Sequence, residues 1–362
     1  MRPAICILDA VYLREEKKEK VKELHDWFAK EKRDFPWRQD VTPYRVWISE
    51  VMLQQTRAQV VVSYFERWML LFPDVRALAR APLDEVIKAW EGLGYYSRAR
   101  NIHLAAKQIV QDFEGNIPSN KEQLAKLAGL GLYTVSAILS FGFHQKTVPV
   151  DGNVLRVCSR FFLIEEDVGK ANVKTRIQKL AETLLDEESP WITAEALIEL
   201  GASVCTPRPS CEECPIQSGC KAALHKKAGL LPIKKENRPI QRIFRSVAVV
   251  ETKQALLVKK NGPGRVMADL CEFPYFEGKL SYRMVQMALE KLLGREAQSI
   301  GKLCATTHTF TNYRAALTSF RFRLDEKSAV DGYFWIPLEE LDRYSFSSGH
   351  RRILREWQMR AL

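Results

Sequence analysis

The sequence lacks any apolar run long enough to cross a membrane, and its mean hydropathy is -0.23. A transmembrane helix needs about 20 consecutive apolar residues, whereas the apolar patch from Ile5 to Leu8 is ended at once by Asp9. The same patch is too short for a secretory signal peptide. We therefore expect a cytoplasmic protein with no membrane segment.

Acidic residues are also in deficit, since 44 aspartates and glutamates face 55 lysines and arginines in a chain of 362 residues. The resulting net charge of +11 attracts a polyanion such as DNA, RNA or an acidic membrane surface, and charge alone does not choose among them. The chain has no internal repeat and no low-complexity tract. At about 150 residues per domain, its length predicts two domains.

Cysteine is scarce outside one short segment, where four of the eight cysteines form a C-x5-C-x2-C-x5-C array: Cys205, Cys211, Cys214 and Cys220. Thiols stay reduced in the cytosol, so these four are interpreted as metal ligands. Zinc-finger ligand pairs are usually separated by about a dozen or more residues, whereas close spacing suits a cubane cluster. The array therefore predicts a [4Fe-4S] cluster in preference to zinc. The other four are expected in the core or on the surface: Cys6, Cys158, Cys271 and Cys304.

The pattern of apolar residues divides the chain into a helical part and a mixed part. Residues 1–225 have a helical pattern punctuated by prolines, which predicts an all-α domain. Residues 226–245 are polar and carry seven basic residues against the single acid Glu236, as a basic linker would. Residues 246–362 predict an α+β domain with paired strands, one helix and further strands, at 246–251, 255–260, 282–293 and 313–324.

A glycine turn joins two helical patterns within Leu124–Thr134, which is a helix-hairpin-helix signal. Gly129 and Gly131 let the backbone bend without a Cβ clash. The amides that open the second helix then point outward, where they can bind a phosphate oxygen of DNA. An isolated glycine pair is more often a plain helix end, so the motif depends on its neighbours for its meaning.

Two carboxylates lie in contrasting settings. Glu50 is the lone acid of the apolar segment Trp47–Thr56, and Asp151 stands at the predicted start of a helix. Taken singly, Glu50 has the ordinary interpretation of a solvated helix residue, and Asp151 that of an N-cap. Together with the hairpin and the cysteine array, they suggest a general acid paired with a stabilising carboxylate.

Several motifs in order resemble the MutY-type adenine DNA glycosylases of the endonuclease III superfamily, over nearly the full length. Besides the hairpin and the cysteines, the resemblance rests on four motifs: Pro36–Arg38, Ser49–Thr56, Gly92–Asn101 and Asp151–Asn153. It implies an all-α helix-hairpin-helix glycosylase domain with a [4Fe-4S] module, followed by an α+β Nudix-like C-terminal domain. It also implies a six-helix barrel module from about Phe35 to Val150, with DNA in the cleft beside the cluster module.

The resemblance implies hydrolysis of the N-glycosidic bond of an adenine that is flipped out of the duplex. Glu50 matches the general acid that protonates adenine N7, because a carboxyl group in an apolar wall holds its proton near neutral pH. Asp151 matches the ionised group that stabilises the oxocarbenium-like sugar. Tyr133 and Asn153 match residues that position Asp151 and the water.

The resemblance also implies residues that contact the substrate and the DNA. Arg38 supports the contact between adenine and Glu50, while Gln55 and Tyr95 match wedge residues that fill the base stack. The remaining implied contacts are Leu53, Gly129, Gly131, Arg208, Phe310 and Thr311.

One position separates the family from bifunctional glycosylases, and one loop length separates this chain from the family. Bifunctional glycosylases carry a Schiff-base lysine in the second hairpin helix, where this chain has Tyr133, so we expect a monofunctional enzyme that leaves an abasic site. The family usually has six residues between its first two cluster cysteines, and this chain has five, Thr206–Ser210. The shorter loop is expected to alter phosphate contacts or cluster stability.

The C-terminal part resembles, through Cys271–Pro274 and Trp335–Leu341, the Nudix-like module that recognises 8-oxoguanine in this family. Its candidate Mg²⁺ helix offers a single glutamate, so pyrophosphatase activity is not expected. The family's Phe-Ser-His loop is replaced by Phe310, Thr311 and Asn312. Thr311 can still donate a hydroxyl hydrogen bond, whereas Asn312 lacks the imidazole of the family's histidine. Three consequences stay open: the preference for 8-oxoguanine over guanine is weaker, His308 replaces the missing contact, or the segment is a plain hairpin surface without a role in recognition.

Two other functions stay open at this point. One is an endonuclease III-like glycosylase for oxidised pyrimidines, which Tyr133 and the long C-terminal domain disfavour. The other is a non-catalytic iron-sulfur protein that binds damaged DNA, which the presence of both Glu50 and Asp151 disfavours. The partner expected from the resemblance is double-stranded DNA with an A:8-oxoguanine or A:G mispair, bound by a monomer in a bacterial-type nucleoid.

Overall fold

The structure, a computed structural model, describes residues 7–235, 240–262, 264, 267–310 and 312–361. The chain forms two compact units. The first contains Met1–Ala79 and Leu104–Glu236, and the second contains Arg80–His103 and Asn237–Leu362. The segment Arg80–His103 therefore packs with the C-terminal part of the chain, although it lies inside the helical part of the sequence.

The N-terminal part is helical, as predicted. Its helices are α1 Ile7–Glu31, α2 Pro43–Leu53, α3 Ala58–Leu71, α4 Val75–Arg80, α5 Leu83–Ala89, α6 Ser97–Phe113, α7 Lys121–Leu124, α8 Leu132–Ala137, α9 Gly152–Phe161, α10 Ala171–Thr183, α11 Pro190–Ser203 and α12 Lys221–Leu224. Helix α8 continues as a π-helical turn at Ile138–Gly142. Short 3-10 turns lie at Pro36–Arg38, Cys211–Glu213, Gln217–Gly219 and Ala228–Leu230.

Local sequence signals set where three of these helices begin. The Thr42 side chain caps α2 by accepting a hydrogen bond from the N–H of Arg45 at 3.2 Å, and Pro43 fills the first helical position. The Asp151 side chain caps α9, and Pro190 opens α11. The start of each helix is therefore fixed by its own sequence.

Large aromatic residues hold α2 in place. Trp47 on α2 and Phe65 and Trp68 on α3 are fully buried. Burying one such side chain stabilises the fold by roughly 1.5–3 kcal/mol. Helix α2 is thus a rigid support for Glu50.

The second unit is built on a seven-stranded sheet. Its strands are β1 Gln241–Glu251, β2 Ala255–Lys260, β3 Cys271–Glu272, β4 Tyr275–Glu277, β5 Gln298–Phe310, β6 Tyr313–Arg323 and β7 Phe334–Pro337, and the helices of its C-terminal part are α13 Tyr282–Leu293 and α14 Ser348–Ala361, with a 3-10 turn at Leu338–Arg343. The strand order is β3-β2-β1-β6-β5, with β4 paired to β1 and β7 to β2. Strands β1 and β6 run parallel, and β5 and β6 form an antiparallel hairpin.

The sheet lies between α13 and α14. Val247 and Val249 of β1 belong to an apolar cluster with α14, whereas Ala248 and Val250 belong to a second cluster with α13. Successive side chains of a strand point to opposite faces, so each helix covers one face. The predicted α+β architecture is confirmed.

The first strand is longer than predicted. It begins at Gln241 and not at Ser246, and its first residues pair in parallel with Tyr313–Leu317 of β6. These first residues are exposed or half-buried. Because they are exposed or half-buried, most of them are polar, and for that reason the sequence predicted a linker here.

Candidate active site

A cavity of ≈ 1790 Å³ in the first unit brings together many of the predicted site residues. Its walls come from the end of α1 and from α2, α8, α9, α10 and α11. Seven predicted residues line it: Arg38, Glu50, Leu53, Gln55, Tyr133, Asp151 and Asn153. Glu50 and Asp151, far apart in the sequence, thus face one space.

Glu50 is a buried acid with a raised pKa. It is 8% exposed, and the Tyr133 hydroxyl donates a hydrogen bond to its Oε2. Burial raises the pKa of Glu50 to about 7, and the charge of Asp151 also raises it. The Tyr133 hydrogen bond and the charge of Arg38 lower the same pKa. Near neutral pH Glu50 is therefore partly protonated, as expected of an acid in an apolar wall.

Asp151 is a helix cap and a cavity residue at the same time. Its Oδ1 accepts the N–H groups of Asn153 and Val154, both at 2.8 Å, and its Oδ2 accepts the Asn153 side-chain amide at 2.8 Å. Burial raises the pKa of Asp151, while these hydrogen bonds act to lower it. The ordinary interpretation of Asp151 as a helix cap is thus confirmed, and the same residue lines the cavity.

Asn153 is held by Arg156, one turn further along α9. The Arg156 Nη2 donates to the Asn153 Oδ1 at 2.8 Å and to the Gly201 carbonyl oxygen at 2.7 Å. A Cβ at residue 201 would lie 2.6 Å from the Asn153 Cβ, so the close approach of α9 and α11 requires glycine there. The Arg156 Nε donates to the Cys205 carbonyl oxygen at 2.7 Å. Hydrogen bonds therefore run from Asp151 to the start of the cysteine array.

Arg38 contacts two glutamates that sequence reasoning missed. Its Nε lies 3.2 Å from the Glu195 Oε1, and its Nη2 lies 2.9 Å from the Glu199 Oε2. Both glutamates line the cavity from one face of α11, and the charge of Glu195 raises the pKa of Glu50. Arg38 thus acts on Glu50 through its charge, while its side-chain ion pairs go to α11. Two glutamates spaced i, i+4 in an apolar helix are the sequence signal that indicates them.

The two predicted wedge residues share an uncommon backbone conformation. Gln55, just after α2, has φ 58°, and Tyr95, in the turn before α6, has φ 47°. Residues other than glycine rarely adopt positive φ. Both side chains are exposed. Each residue therefore stands at a strained turn of its own unit.

The hairpin has the predicted order of elements, with one difference in the glycine roles. Gly129 has φ 75°, which lies in the left-handed region that a bend of this kind uses. Gly131 has φ -80° and ψ 172°, and a Cβ there would meet nothing within 4 Å. The prediction that Gly131 relieves a Cβ clash is therefore wrong. Instead, Gly131 precedes α8 without a side-chain cap, which leaves the first N–H groups of that helix available.

The four predicted ligand cysteines are half-buried free thiols. Cys205, Cys211 and Cys220 each act electrostatically on Cys214, so the thiols lie in one region. A small apolar cluster packs against Cys211 and Cys220, and the Arg160 Nη1 donates to the Cys205 Sγ at 3.3 Å. Soft donors beside apolar groups and a cation fit an iron-sulfur cluster. In the part of the chain that the structure describes, no three His, Cys, Asp or Glu side chains form a metal-holding group.

Two further predicted contact residues, Arg208 and His308, are not among the residues that line the cavity. Arg208 is exposed in the loop between the first two cysteines of the array. The backbone of Phe310 ends β5 and pairs with Tyr313, while the Phe310 side chain and all of Thr311 lie outside the described residues. His308, further back on β5, is half-buried, and burial lowers its pKa.

Two family models match the chain. The model described as "HhH-GPD superfamily base excision DNA repair protein" matches residues 48–183, and the model described as "NUDIX domain" matches residues 246–356. The predicted order of a helix-hairpin-helix domain and a Nudix-like domain is thereby confirmed. Across the ranges that the structure describes, no helix combines the length and the apolar character needed to cross a membrane.

Solved structures share the fold of the helical part. A thermostable thymine-DNA glycosylase is 26% identical, with a TM-score of 0.54 over 59% of this chain and 99% of its own. Endonuclease III in a non-covalent DNA complex is 21% identical, with a TM-score of 0.50 over 59% of this chain and 97% of its own. The second likeness concerns the fold alone.

Curated relatives cover both domains. The adenine DNA glycosylase of Mus musculus is 33% identical over 92% of this chain and 77% of its own length. The Homo sapiens protein of the same name is 32% identical over 92% of this chain and 73% of its own length. That of Buchnera aphidicola subsp. Baizongia pistaciae is 37% identical over 68% of this chain and 70% of its own length. The chain therefore belongs to the adenine DNA glycosylases, the enzymes of base excision repair that its ordered motifs resemble.

Proposed function

We propose that this glycosylase hydrolyses the N-glycosidic bond of an adenine opposite 8-oxoguanine or guanine, with Glu50 as general acid and Asp151 as stabilising carboxylate. The observation that carries the proposal is that both acids line one cavity, in which Glu50 has a pKa of about 7. Two carboxyl groups in different environments suit separate acid and electrostatic roles. The cavity of ≈ 1790 Å³ has room for an extruded nucleotide.

The reaction divides between the two acids. Protonation of adenine N7 by Glu50 makes the base a better leaving group. As the bond from C1′ to N9 breaks, positive charge develops on the sugar, and the Asp151 carboxylate stabilises it. The hydrogen bonds from Asn153 hold that carboxylate in place. Water then adds to C1′ and gives its proton to the Glu50 carboxylate, which leaves free adenine, an abasic site and Glu50 protonated again.

Tyr133 has a different partner from the one expected. Its hydroxyl donates to Glu50, whereas the resemblance implied that it positions Asp151. A phenol cannot form the imine that a lysine forms in bifunctional glycosylases. The proposed product is therefore an abasic site in an intact strand.

The proposal includes a [4Fe-4S] cluster held by the four cysteines of the array: Cys205, Cys211, Cys214 and Cys220. When bound, the cluster would fix the fold of the loop and leave Arg208 free to contact a phosphate, without redox chemistry. Arg160 supports this loop, since its Nη2 donates to the Pro207 carbonyl oxygen at 3.1 Å. The described geometry of Arg156 links the loop to Asn153.

Single-turnover release of adenine from duplexes with A opposite 8-oxoguanine, guanine or cytosine tests the proposed substrate. We expect faster release opposite 8-oxoguanine and guanine than opposite cytosine, and no strand cleavage before alkali treatment. A duplex with an oxidised pyrimidine is the control. Equal rates opposite all three bases would contradict recognition of the opposite base. Release of the oxidised pyrimidine in place of adenine would contradict the proposed reaction.

The ionisation of Glu50 predicts a pH dependence. The protonated carboxyl group is the donor, so the single-turnover rate should fall as pH rises through about 7. Tyr133→Phe removes the hydrogen bond that lowers the pKa of Glu50, so the fall should move to higher pH. Tyr64→Phe, on α3 and outside the cavity, is the matched control and should leave the profile unchanged. A fall at the same pH in the parent and in Tyr133→Phe would contradict this assignment.

A further inference from the structure

The turn that carries Tyr95 is anchored at both ends to the C-terminal part of the second unit. Glu91 precedes the turn, and Arg100 follows it near the start of α6. Glu91 pairs with Arg351 of α14, and the Arg100 Nη1 pairs with the Asp269 Oδ2 at 3.1 Å. Residues of the Nudix-like domain therefore hold both sides of the turn.

The Glu91 carboxylate accepts a bidentate pair and two further donors. Arg351 donates through Nε to Oε1 at 2.7 Å and through Nη2 to Oε2 at 2.9 Å. The Phe346 N–H donates at 3.0 Å and the Lys88 Nζ at 2.8 Å. The Glu91 and Arg351 side chains are 14% and 13% exposed, so solvent screens this pair less than a surface ion pair. Loss of one partner leaves a poorly solvated charge.

Between the two anchors, Gly92 has φ 109°, Gly94 has φ 72° and Tyr95 has φ 47°, and of these three residues only Tyr95 is strained, because glycine adopts positive φ freely. From the first turn of α6, Arg98 donates to the carbonyl oxygens of Leu93 at 2.9 Å and of Gly94 at 3.1 Å. A non-glycine residue at positive φ costs about 1–3 kcal/mol and persists where its surroundings fix it. The anchors supply part of that constraint.

Helix α14, which carries Arg351, also packs against β5. The neighbouring Arg352 Nη1 donates to the Thr307 carbonyl oxygen of β5 at 2.6 Å. Helix α14 is therefore fixed on β5 and, through the pair of Arg351 and Glu91, contacts the Tyr95 turn.

We propose that Glu91 and Arg351 are positioning residues for Tyr95, so that the C-terminal part of the second unit fixes the turn that inserts Tyr95 into the base stack. The inference rests on the proposed function, in which Tyr95 is a wedge residue. If the turn is already ordered before DNA binds, no conformational entropy has to be lost to order it while the adenine leaves the base stack. Misplacement of a positioned group far from the chemistry can slow a reaction by about 100-fold.

A double-mutant cycle between Arg351→Met and Tyr95→Ala tests the coupling. With Tyr95 present, we expect Arg351→Met to slow single-turnover adenine release by about 10- to 100-fold. In the Tyr95→Ala enzyme, Arg351→Met should have no further effect, because the turn then carries no wedge. Arg355→Met, an exposed residue one turn further along α14, is the control and should keep the parent rate. Equal losses with and without Tyr95 would mean a merely structural role and would overturn the proposal.

Amide hydrogen exchange in the full-length chain gives a readout that needs no activity. Residues 92–99 should exchange faster in Arg351→Met and in Glu91→Gln than in the parent, and at the parent rate in Arg355→Met. Unchanged exchange in the first two variants would also overturn the proposal. If Arg351→Met does not fold, Arg351→Lys replaces it with the same outcomes, because lysine keeps the charge and loses the bidentate fork.

Failure of the coupling and failure of the proposed function are distinguishable. A parent enzyme that releases no adenine would refute the proposed function. A parent that releases adenine at a rate insensitive to Arg351→Met would refute the positioning role alone.

Discussion

Glutamine in place of Glu50 is expected to slow single-turnover adenine release by about 10²- to 10⁴-fold. The amide N–H is far too weak an acid to protonate adenine N7, while the size and the carbonyl oxygen of glutamine preserve the packing and an acceptor for the Tyr133 hydroxyl. Affinity for the mispaired duplex should stay close to that of the parent, because Glu50 acts on the chemical step. Glu66→Gln, an exposed glutamate on α3, is the matched control and should change neither quantity.

The same Glu50→Gln variant should become more stable relative to the parent as pH rises from about 4 to about 8. Between the ordinary pKa of 4.5 and the folded-state pKa of about 7, folded Glu50 keeps a proton that the unfolded chain has lost. The free energy of unfolding of the parent therefore falls as pH rises through this window, and glutamine does not titrate. Relative to the parent, the variant should gain on the order of 3 kcal/mol between about pH 4 and pH 8. Adenine release by this variant at the parent rate would contradict the role of Glu50 as the general acid.

Asparagine in place of Asp151 is expected to slow adenine release by about 10²- to 10³-fold. The substitution removes the negative charge that faces the developing cation. Asparagine caps helices about as well as aspartate, so its side-chain oxygen still accepts the N–H groups that open α9. The comparison therefore separates the charge of Asp151 from its capping role. Single-turnover kinetics and thermal unfolding, measured on the same preparation, give the two effects.

Asp151→Ala is the companion variant for this prediction. It removes both the charge and the cap, so it should lose activity and, in addition, about 1 kcal/mol of stability. If Asp151→Asn released adenine as fast as the parent while Asp151→Ala failed, Asp151 would be a helix cap and no more. Equal stability of the two variants would instead contradict its capping role.

Elements whose signals are local were predictable from the sequence. Helix α13 has the predicted bounds, Tyr282–Leu293, because Ser281 caps its start and Gly294, with φ 66°, ends it. Glu50 was indicated as a lone acid in an apolar segment, and burial on α2 gives it the raised pKa that such a setting produces. In each case, the residues next to it in the sequence carried the signal on which the prediction was based.

Features that depend on distant packing were not predictable. Glu195 and Glu199 enter the cavity because α11 packs beside α9, and Arg38 reaches them across the fold. The hydrogen bond of Tyr133 to Glu50 joins two segments whose distance no local pattern encodes. The first half of β1 was predicted as a linker because its sequence is polar. The strand that pairs with it, β6, lies far along the chain and leaves no local signal.

The assignment of Arg80–His103 to the second unit is the clearest case of this kind. Its pattern of apolar residues predicts that this segment is part of the helical domain on both sides of it. Its Glu91 pairs with Arg351, which lies 260 residues further along the chain. Lys260 and Asp84, with Nζ and Oδ1 at 2.7 Å, add a second pairing of the same segment. Charge pairs at such separation carry no local signal, so three-dimensional packing alone reveals them.

The most direct test of the account is a crystal structure of the Asp151→Asn variant bound to a duplex with adenine opposite 8-oxoguanine. We expect the adenine outside the base stack and inside the cavity, with its N7 about 2.6–3.2 Å from the Glu50 carboxyl group and its C1′ facing the side chain at position 151. An adenine that remains stacked in the duplex, or that occupies a site away from Glu50, would contradict the proposed roles of Glu50 and Asp151.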